Sequence, residues 1–391
     1  MEPGMNEGRT SVNGMRKNYT RLRKKEKSRM LDHLVEEHGY NRQYASRLLS
    51  RGGADVGGKE RRGSKPRYKE AYAALKQVWR WYDYICSVRL AAVLPEALRK
   101  LQECAELRLE RVVEEKLLRM SPRTMDRLLS NDRKKLSLRS KARTRPGTLL
   151  KHRVPVKTFE EWKDVAPGFL QSDCVGHDGG NGSGEFNQTL DMTDVATTWT
   201  ETRAVKNKAH VWVLEAIKTL LGQFPFPVKG IHSDSGGEFI NAALIRFCED
   251  EALAFTRSRA ARKNDNAYVE QKNCSIVRRA VGYGRHEGDQ DILNSLYRLL
   301  RLYTNFFMPT MKCVARTRYG SRTTRHDDRP QTPYQRVLAS PCVAPARKAN
   351  LRAMYATLNV VSLKKGITRL QGVLIRRAAR HGTPVLHHEV A

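Results

Sequence analysis

Three carboxylates have residue types and spacing suited to metal-assisted chemistry. Asp173 lies within FLQSDCVGHD, Asp234 within GIHSDSGGEF and Glu270 within KNDNAYVEQKN, with 35 residues between the second and the third. Phosphoryl transfer between nucleic-acid strands asks little covalent work of a protein. It asks for two divalent cations roughly 3.5–4 Å apart, one activating the attacking hydroxyl and one stabilising the leaving oxygen. Magnesium takes hard oxygen ligands and keeps several waters, so a few carboxylates at strand ends and on an adjoining helix suffice. Asp173, Asp234 and Glu270 meet that demand as catalytic and metal-ligating residues together, for two ions of Mg²⁺ or Mn²⁺. Gly236 and Gly237 let the backbone turn sharply past the second acid. Asp178 is the alternative first acid; it abuts Gly179–Gly180 and reads as turn chemistry, whereas Val165, Phe169 and Leu170 place Asp173 within a strand. Asp191 and Asp194 flank the end of the next strand, and Asp194 reads as a turn former rather than a ligand.

The frame for these acids is expected over 158–320, where strand and helix patterns alternate. FLQSDCV reads as a strand, followed by a Gly-rich turn (GGNGSGE) and two more strands, FNQTLDMTD and ATTWTETRAV. A helix follows at His210–Gln223, then the strand VKGIHSD, a helix over Glu238–Glu251, the strand Ala254–Thr256 and a long helix from about Asp265. A three-strand meander and then helix–strand–helix–strand–helix is the ribonuclease-H-like order. GGNGSG lacks the Gly-Lys-Ser/Thr ending of a nucleotide loop, so it reads as a hairpin and no nucleotide cofactor is expected. His232 reads as a strand histidine packed beneath the acids, and the aromatics of RLYTNFFMP as core at helical spacing.

The chain of 391 residues is long enough for two or three domains. Its 72 Lys and Arg against 41 Asp and Glu leave a net charge of +31. A surplus of that size points to a polyanionic partner, because neutralised phosphates release counterions; charge alone does not separate DNA from RNA. No stretch approaches the roughly 20 apolar residues of a membrane span, and the start has no signal-peptide core, so no membrane partner is expected. The seven cysteines form no C-x-x-C pair, which argues against a zinc module or disulfide framework and suits a reducing cytoplasm.

Residues 1–24 read as a basic flexible arm. Over 25–51, Met30, Leu31, Leu34 and Val35 recur at helical spacing up to His38, and Gly39 stops the helix. A second helix starts at Asn41, with Tyr44, Ala45, Leu48 and Leu49 inward and Arg42, Gln43, Ser46, Arg47 and Arg51 outward, a helix-turn-helix pattern suited to DNA. Residues 52–67 are linker by composition. Residues 68–132 read as a second helical, helix-turn-helix-containing domain, with helices around Ala71–Tyr84, Val88–Cys104 and Val112–Leu118. Its last helix has Ser121 as cap and Pro122 at its first position, with Arg123, Thr124 and Arg127 available to DNA. A basic linker spans 133–157. Residues 321–391 are a linker and a basic helix from about Lys348 to Arg377. The expected architecture is multidomain: an all-α helix-turn-helix N-terminal region, an α/β ribonuclease-H-like core and a mostly helical C-terminal segment.

The order Asp…Asp-(35 residues)-Glu, with HSDSGGEFIN around the second acid and NDNAYVEQKN around the third, resembles the DDE catalytic core of retroviral integrases and insertion-sequence transposases. The likeness covers about 158–320, and the helix-turn-helix region before it resembles the DNA-end-binding part of bacterial insertion-sequence transposases. What this implies is a metal-dependent DNA transposase: hydrolysis at the element's ends, then direct attack of the freed 3′-hydroxyl on target DNA, without a covalent protein–DNA intermediate. It also implies a homo-oligomer on DNA, since two ends must be held together, and a place with the nucleoid in a bacterial cytoplasm. Many integrases carry Lys or Arg seven residues past the glutamate; Val277 stands there in this chain. Lys272 and Arg278 are the local candidates for gripping DNA, with Asn273, Cys274 and Arg278 sharing the face of Glu270. Asn266, opening that helix, is placed to position the loop or a phosphate. Two rivals are a ribonuclease-H-like nuclease, which needs the acids but not the helix-turn-helix units, and a non-catalytic DNA-binding regulator derived from a transposase, which needs the reverse.

Overall fold

A computed structural model describes residues 15, 18–19, 21–50, 68–134, 165–259 and 263–380. Most of the arm expected over 1–24 and all of the linker over 52–67 lie outside the described residues, as does the linker over 133–157 beyond Lys134. The chain divides into two units, Met1–Lys69 and Glu70–Ala391.

The first unit contains, among its described residues, the helical pair α1 (Lys24–His38) and α2 (Arg42–Ser50). Gly39 takes a left-handed φ of 65° and its N–H closes on the Val35 carbonyl, so the helix stops where glycine permits it. Tyr19, Leu31, Leu34, Ala45 and Leu49 form the core. Tyr44 departs from expectation: it is 55% exposed and meets Tyr40 edge-on. Ala45 and Leu49, four apart, set the buried face, and at about 100° per residue Tyr44 is rotated off it.

The second unit begins with α3 (Tyr72–Trp81), α4 (Ser87–Glu103), α5 (Arg111–Leu118) and α6 (Pro122–Lys134). The Ser121 hydroxyl accepts the Thr124 N–H at 3.3 Å, and Met125 and Leu129 face inward. These helices do not stand apart from the rest. Lys100 donates to the Ala356 carbonyl (2.7 Å), Asn359 to Glu106 (2.8 Å) and Lys364 to Asp83 (2.6 Å), which ties them to the C-terminal helices.

The centre is a five-stranded mixed sheet of β1 (Phe169–Gly176), β2 (Gln188–Asp194), β3 (Thr200–Val205), β4 (Gly230–Ser233) and β5 (Ala254–Arg257), in the order β3-β2-β1-β4-β5. β1, β2 and β3 are antiparallel neighbours, and β4 and β5 run parallel to β1. Order and sense are consistent with the ribonuclease-H-like core expected from sequence. Helices α7 (His210–Leu221), α8 (Ala242–Asp250), α9 (Ala267–Lys272) and α10 (Gln290–Phe307) cover the sheet, so all seven residues of β2 are buried. Buried polar groups must then find partners inside. Asp194 accepts the Gly168 N–H (2.8 Å), the Thr197 N–H (2.7 Å) and the Thr197 hydroxyl (2.6 Å), the turn-forming role its setting predicts. The Gly-rich segment does join β1 to β2, and Arg285 gathers it by donating to the carbonyls of Asn181, Ser183 and Glu185.

The C-terminal part differs from expectation in two respects. A β-hairpin, β6 (Cys313–Tyr319) and β7 (Arg322–Asp327), follows α10. After α11 (Pro333–Ala339), the single basic helix expected over 348–377 is two, α12 (Pro345–Thr357) and α13 (Val360–Arg380). Asn359 makes the break, its side-chain oxygen accepting the N–H groups of Val361 and Ser362 as an N-cap does. All seven cysteines are free, and no helix among the described residues is long and apolar enough to cross a membrane.

Candidate active site

β1 and β4 lie side by side and parallel, with Ser172 paired to Ser233. The next residue on each chain is a candidate acid, so the sheet register sets Asp173 beside Asp234 across a sequence gap of about sixty residues. One Asp173 oxygen accepts the Cys174 N–H (2.8 Å) and the other the Asn273 side-chain amide (2.6 Å). Asp234 accepts the Gly236 N–H (2.9 Å). A Cβ at Gly236 would stand 2.6 Å from a Glu238 oxygen and 2.9 Å from the Asp234 carboxylate, so any side chain there would push both acids from their present positions. Burial, with the negative charges of Asp234 and Glu270, pushes Asp173 up to about 7. Burial raises Asp234 as well, and Glu238 adds to it. Asp178 instead accepts the Gly180 N–H (3.1 Å), so Asp173 is the acid that faces Asp234.

Glu270 is exposed on α9, and the seating of that helix is where the sequence is least informative. Gln171, wholly buried on β1, accepts the N–H groups of Tyr268 (2.9 Å) and Val269 (3.3 Å) and donates to the Asp265 carbonyl (3.0 Å). The first N–H groups of a helix have no partner within it, and Gln171 supplies one from the neighbouring strand. Asn266 donates to the Ser172 carbonyl (3.3 Å), so it positions the loop, as one of its two expected roles. Asp265, also buried, takes the Arg259 guanidinium at 2.7 and 2.9 Å. Glu238, paired with Lys208 at 3.2 Å, is another site residue that sequence reasoning misses; its nearness to Asp234 depends on the tight turn at Gly236. The only sequence signal for Gln171 is an amide at a strand position that proves to be buried on both sides.

Past Lys272 the helix widens to a π turn over Asn273–Arg278, which rotates the side chains beyond it. Asn273 reaches Asp173, whereas Cys274 is exposed. Arg278 donates to the Gly176 carbonyl (2.8 Å) and lies over the Tyr283 ring, so it braces the end of β1 rather than sharing an open face with Glu270. Lys272 is 6% exposed, with burial pushing its ammonium down to about 8 and Asp191 opposing that. Of the two residues expected to grip DNA here, Lys272 is thus buried and Arg278 half-buried against the protein. His232 is buried, with Nδ1 2.9 Å from the Thr256 hydroxyl, as a packed strand histidine should be. Of the helical DNA candidates, Gln43, Arg47, Arg123 and Arg127 are exposed, and Ser46 and Thr124 are half-buried. Arg42 is paired with Asp32 and donates to Ser28.

The donor chemistry suits a hard cation: three carboxylates, two of them held by N–H donors and repelling one another. They are not gathered into one ligand set, and among the described residues no group of three His, Cys, Asp or Glu is placed to hold a metal ion.

Fold and site together define an α/β protein with paired acids at the ends of neighbouring parallel strands. No family model matches the chain. The chain is 39% identical over 317 residues to the uncharacterized protein y4rM of Sinorhizobium fredii (strain NBRC 101917 / NGR234), covering 80% of this chain and 89% of that one. It belongs to the same family as y4rM. Among solved structures, the catalytic core domain of BIV integrase overlaps 43% of this chain and 91% of its own, at 17% identity and a TM-score of 0.30, a likeness too slight to bear on activity.

Proposed function

We propose that this protein is a DDE-type DNA transposase that binds the ends of a mobile element and carries out strand cleavage and strand transfer with Asp173, Asp234 and Glu270. The observation that carries the reading is the placement of Asp173 and Asp234 on adjacent parallel strands, with α9 held across β1 by Gln171, Asn266 and Asn273. Asp173, Asp234 and Glu270 would hold two ions of Mg²⁺ or Mn²⁺, and closure of Glu270 toward the two aspartates on loading is part of the proposal. Bound ions would activate the attacking oxygen and stabilise the leaving one. The chain's own residues do the positioning: Asn273 holds the Asp173 carboxylate in one orientation, and Gly236 lets Asp234 and Glu238 approach closely. Gln43, Arg47, Arg123 and Arg127 present side chains to element-end DNA. Two ends and a target must be held at once, which calls for a homo-oligomer on DNA, working with the nucleoid in the cytoplasm.

The test is strand transfer by the purified full chain on labelled duplex carrying the ends of its own element, with Mg²⁺ or Mn²⁺ and in EDTA. Metal-dependent joined products are expected. DNA binding without any metal-dependent cleavage or joining would leave the regulator reading, and cleavage confined to RNA–DNA hybrids the nuclease. In the same assay, Gln171→Ala is expected to lower turnover about 10²-fold, since a displacement of about 1 Å in a reacting group costs that much. DNA affinity should hold, because Gln171 is buried and touches only backbone. An equal loss of affinity would make Gln171 a general folding residue instead.

A further inference from the structure

The hairpin β6–β7 is the part of the second unit that its own fold does least to explain. Every residue from Val314 to Asp327 whose side chain is described is exposed; Tyr319, before the turn, is 93% exposed and Val314 is 63% exposed. The strands meet at a two-residue loop, Gly320–Ser321, where Gly320 has a φ of 59°. A two-stranded hairpin is marginal in water unless something covers a face. Its charge is one-sided: Lys312, Arg316, Arg318, Arg322 and Arg325 stand against Asp327 within 312–327.

The base, by contrast, is clamped. Lys312 and Asp328 exchange hydrogen bonds (Lys312 N–H to the Asp328 carboxylate, 2.7 Å; Asp328 N–H to the Lys312 carbonyl, 2.9 Å). Arg336 grips Asp328 at 2.6 Å, and the Lys312 ammonium donates to the Ala196 carbonyl (3.0 Å) while lying over the Tyr268 ring. Tyr268 is two residues before Glu270, so the hairpin springs from beside the helix that carries the third acid. A register shift between Cys313 and Ala315 bulges the strand at its root, a device that re-aims a ribbon.

We propose that β6–β7 is a DNA arm: a two-stranded ribbon that lies in the major groove of duplex DNA, with the exposed Arg318 and Arg325 on the flanking phosphates. The major groove, about 12 Å wide, admits a two-stranded ribbon, and seven residues of strand reach roughly 24 Å along it. The identification of the polyanion as DNA rests on the function proposed above; the arm itself rests on the hairpin's exposure, charge and anchored base.

The test is binding of the full chain to fluorescent duplex DNA of arbitrary sequence, in EDTA so that no chemistry intervenes, across a range of salt. Arg318→Gln with Arg325→Gln is expected to lower the slope of log affinity against log salt by about 2, and affinity at 0.1 M salt about 50-fold. The wild type should protect guanine N7, a major-groove atom, from dimethyl sulfate, and the double variant should lose that protection. Lys365→Gln with Arg369→Gln, two exposed cations on α13, is the charge-matched control and should change the slope less. Equal effects in the two doubles, an unchanged slope in the arm variant, tighter binding to duplex RNA, or an altered oligomer in place of altered DNA binding would each overturn the arm. A chain that shows the arm effect but never joins DNA would keep this inference and lose the transposase reading. Joining with an unaltered slope would do the reverse.

Discussion

Asp234→Asn is expected to abolish strand joining while leaving the protein at least as stable as the wild type. Asparagine retains an oxygen to accept the Gly236 N–H, so the tight turn after β4 should survive. What it removes is the negative charge needed to hold a cation. A metal ion at developing charge contributes several kcal/mol, and about 4 kcal/mol corresponds to roughly 10³-fold in rate. The same change relieves repulsion, since the Asp234 carboxylate raises Asp173 and is itself opposed by Glu238. Thermal unfolding without metal should therefore shift little, or upward, while joining falls on the order of 10³-fold or more. Metal-dependent stabilisation of the wild type should shrink in the variant. Joining within a few-fold of wild type would remove Asp234 from the chemistry.

Arg301→Ala, a change on the helix that packs against β3, is expected to destabilise the fold clearly. Glu201 on β3 is 1% exposed and accepts from Arg301 Nε (2.7 Å) and Trp199 Nε1 (2.7 Å). Arg301, on α10, also donates to the Gln223 carbonyl (2.8 Å). Glu201 is buried but the Arg301 side chain is 29% exposed, so removing Arg301 strands the carboxyl at the low end of the buried-pair cost, about 3 kcal/mol. For a unit of this size that lowers Tm by about 4–6 °C. Burial raises Glu201 from 4.5 to about 7, with Arg301 opposing. The protonated acid is therefore favoured by the fold: its contribution is complete below the unfolded value of 4.5 and is lost as pH rises through 7. Arg301 matters most where Glu201 is ionised, so the deficit should be larger at pH 8 than at pH 5. Glu201→Gln, which leaves no buried charge, should cost less at pH 8. Scanning fluorimetry of both variants at the two pH values checks this, and a deficit independent of pH would sink the ion-pair account.

Much of this protein is legible without any coordinates. The Gly39 stop, the Ser121–Pro122 helix start and the succession of the five strands along the chain follow from periodicity and cap chemistry, which act over a few residues. The boundaries move where a side chain competes with the helix pattern. Asn241 takes the Leu244 N–H and delays the helix expected from Glu238, and Asn359 divides the one expected from Lys348. The hairpin at 313–327 is not legible because its alternation marks no buried face: both of its sides are open, so there is little apolar pattern to read.

The three acids and their order along the chain were determined by the sequence alone, as was the strongly basic surface. Only the tertiary structure decided that Asp173 rather than Asp178 faces Asp234, because that depends on the β1–β4 register. It also decided that Lys272 is buried on the regular helix Ala267–Lys272, and that Arg278 turns to the end of β1, since the π turn over Asn273–Arg278 breaks the 3.6-residue period on which face assignments beyond it rest. Gln171 gained its role from a helix nearly a hundred residues away, and helices 72–134 joined the same unit as the C-terminal pair. Local spacing records which face of an element is apolar; which groups then meet is settled by packing between distant segments, and no periodicity encodes that.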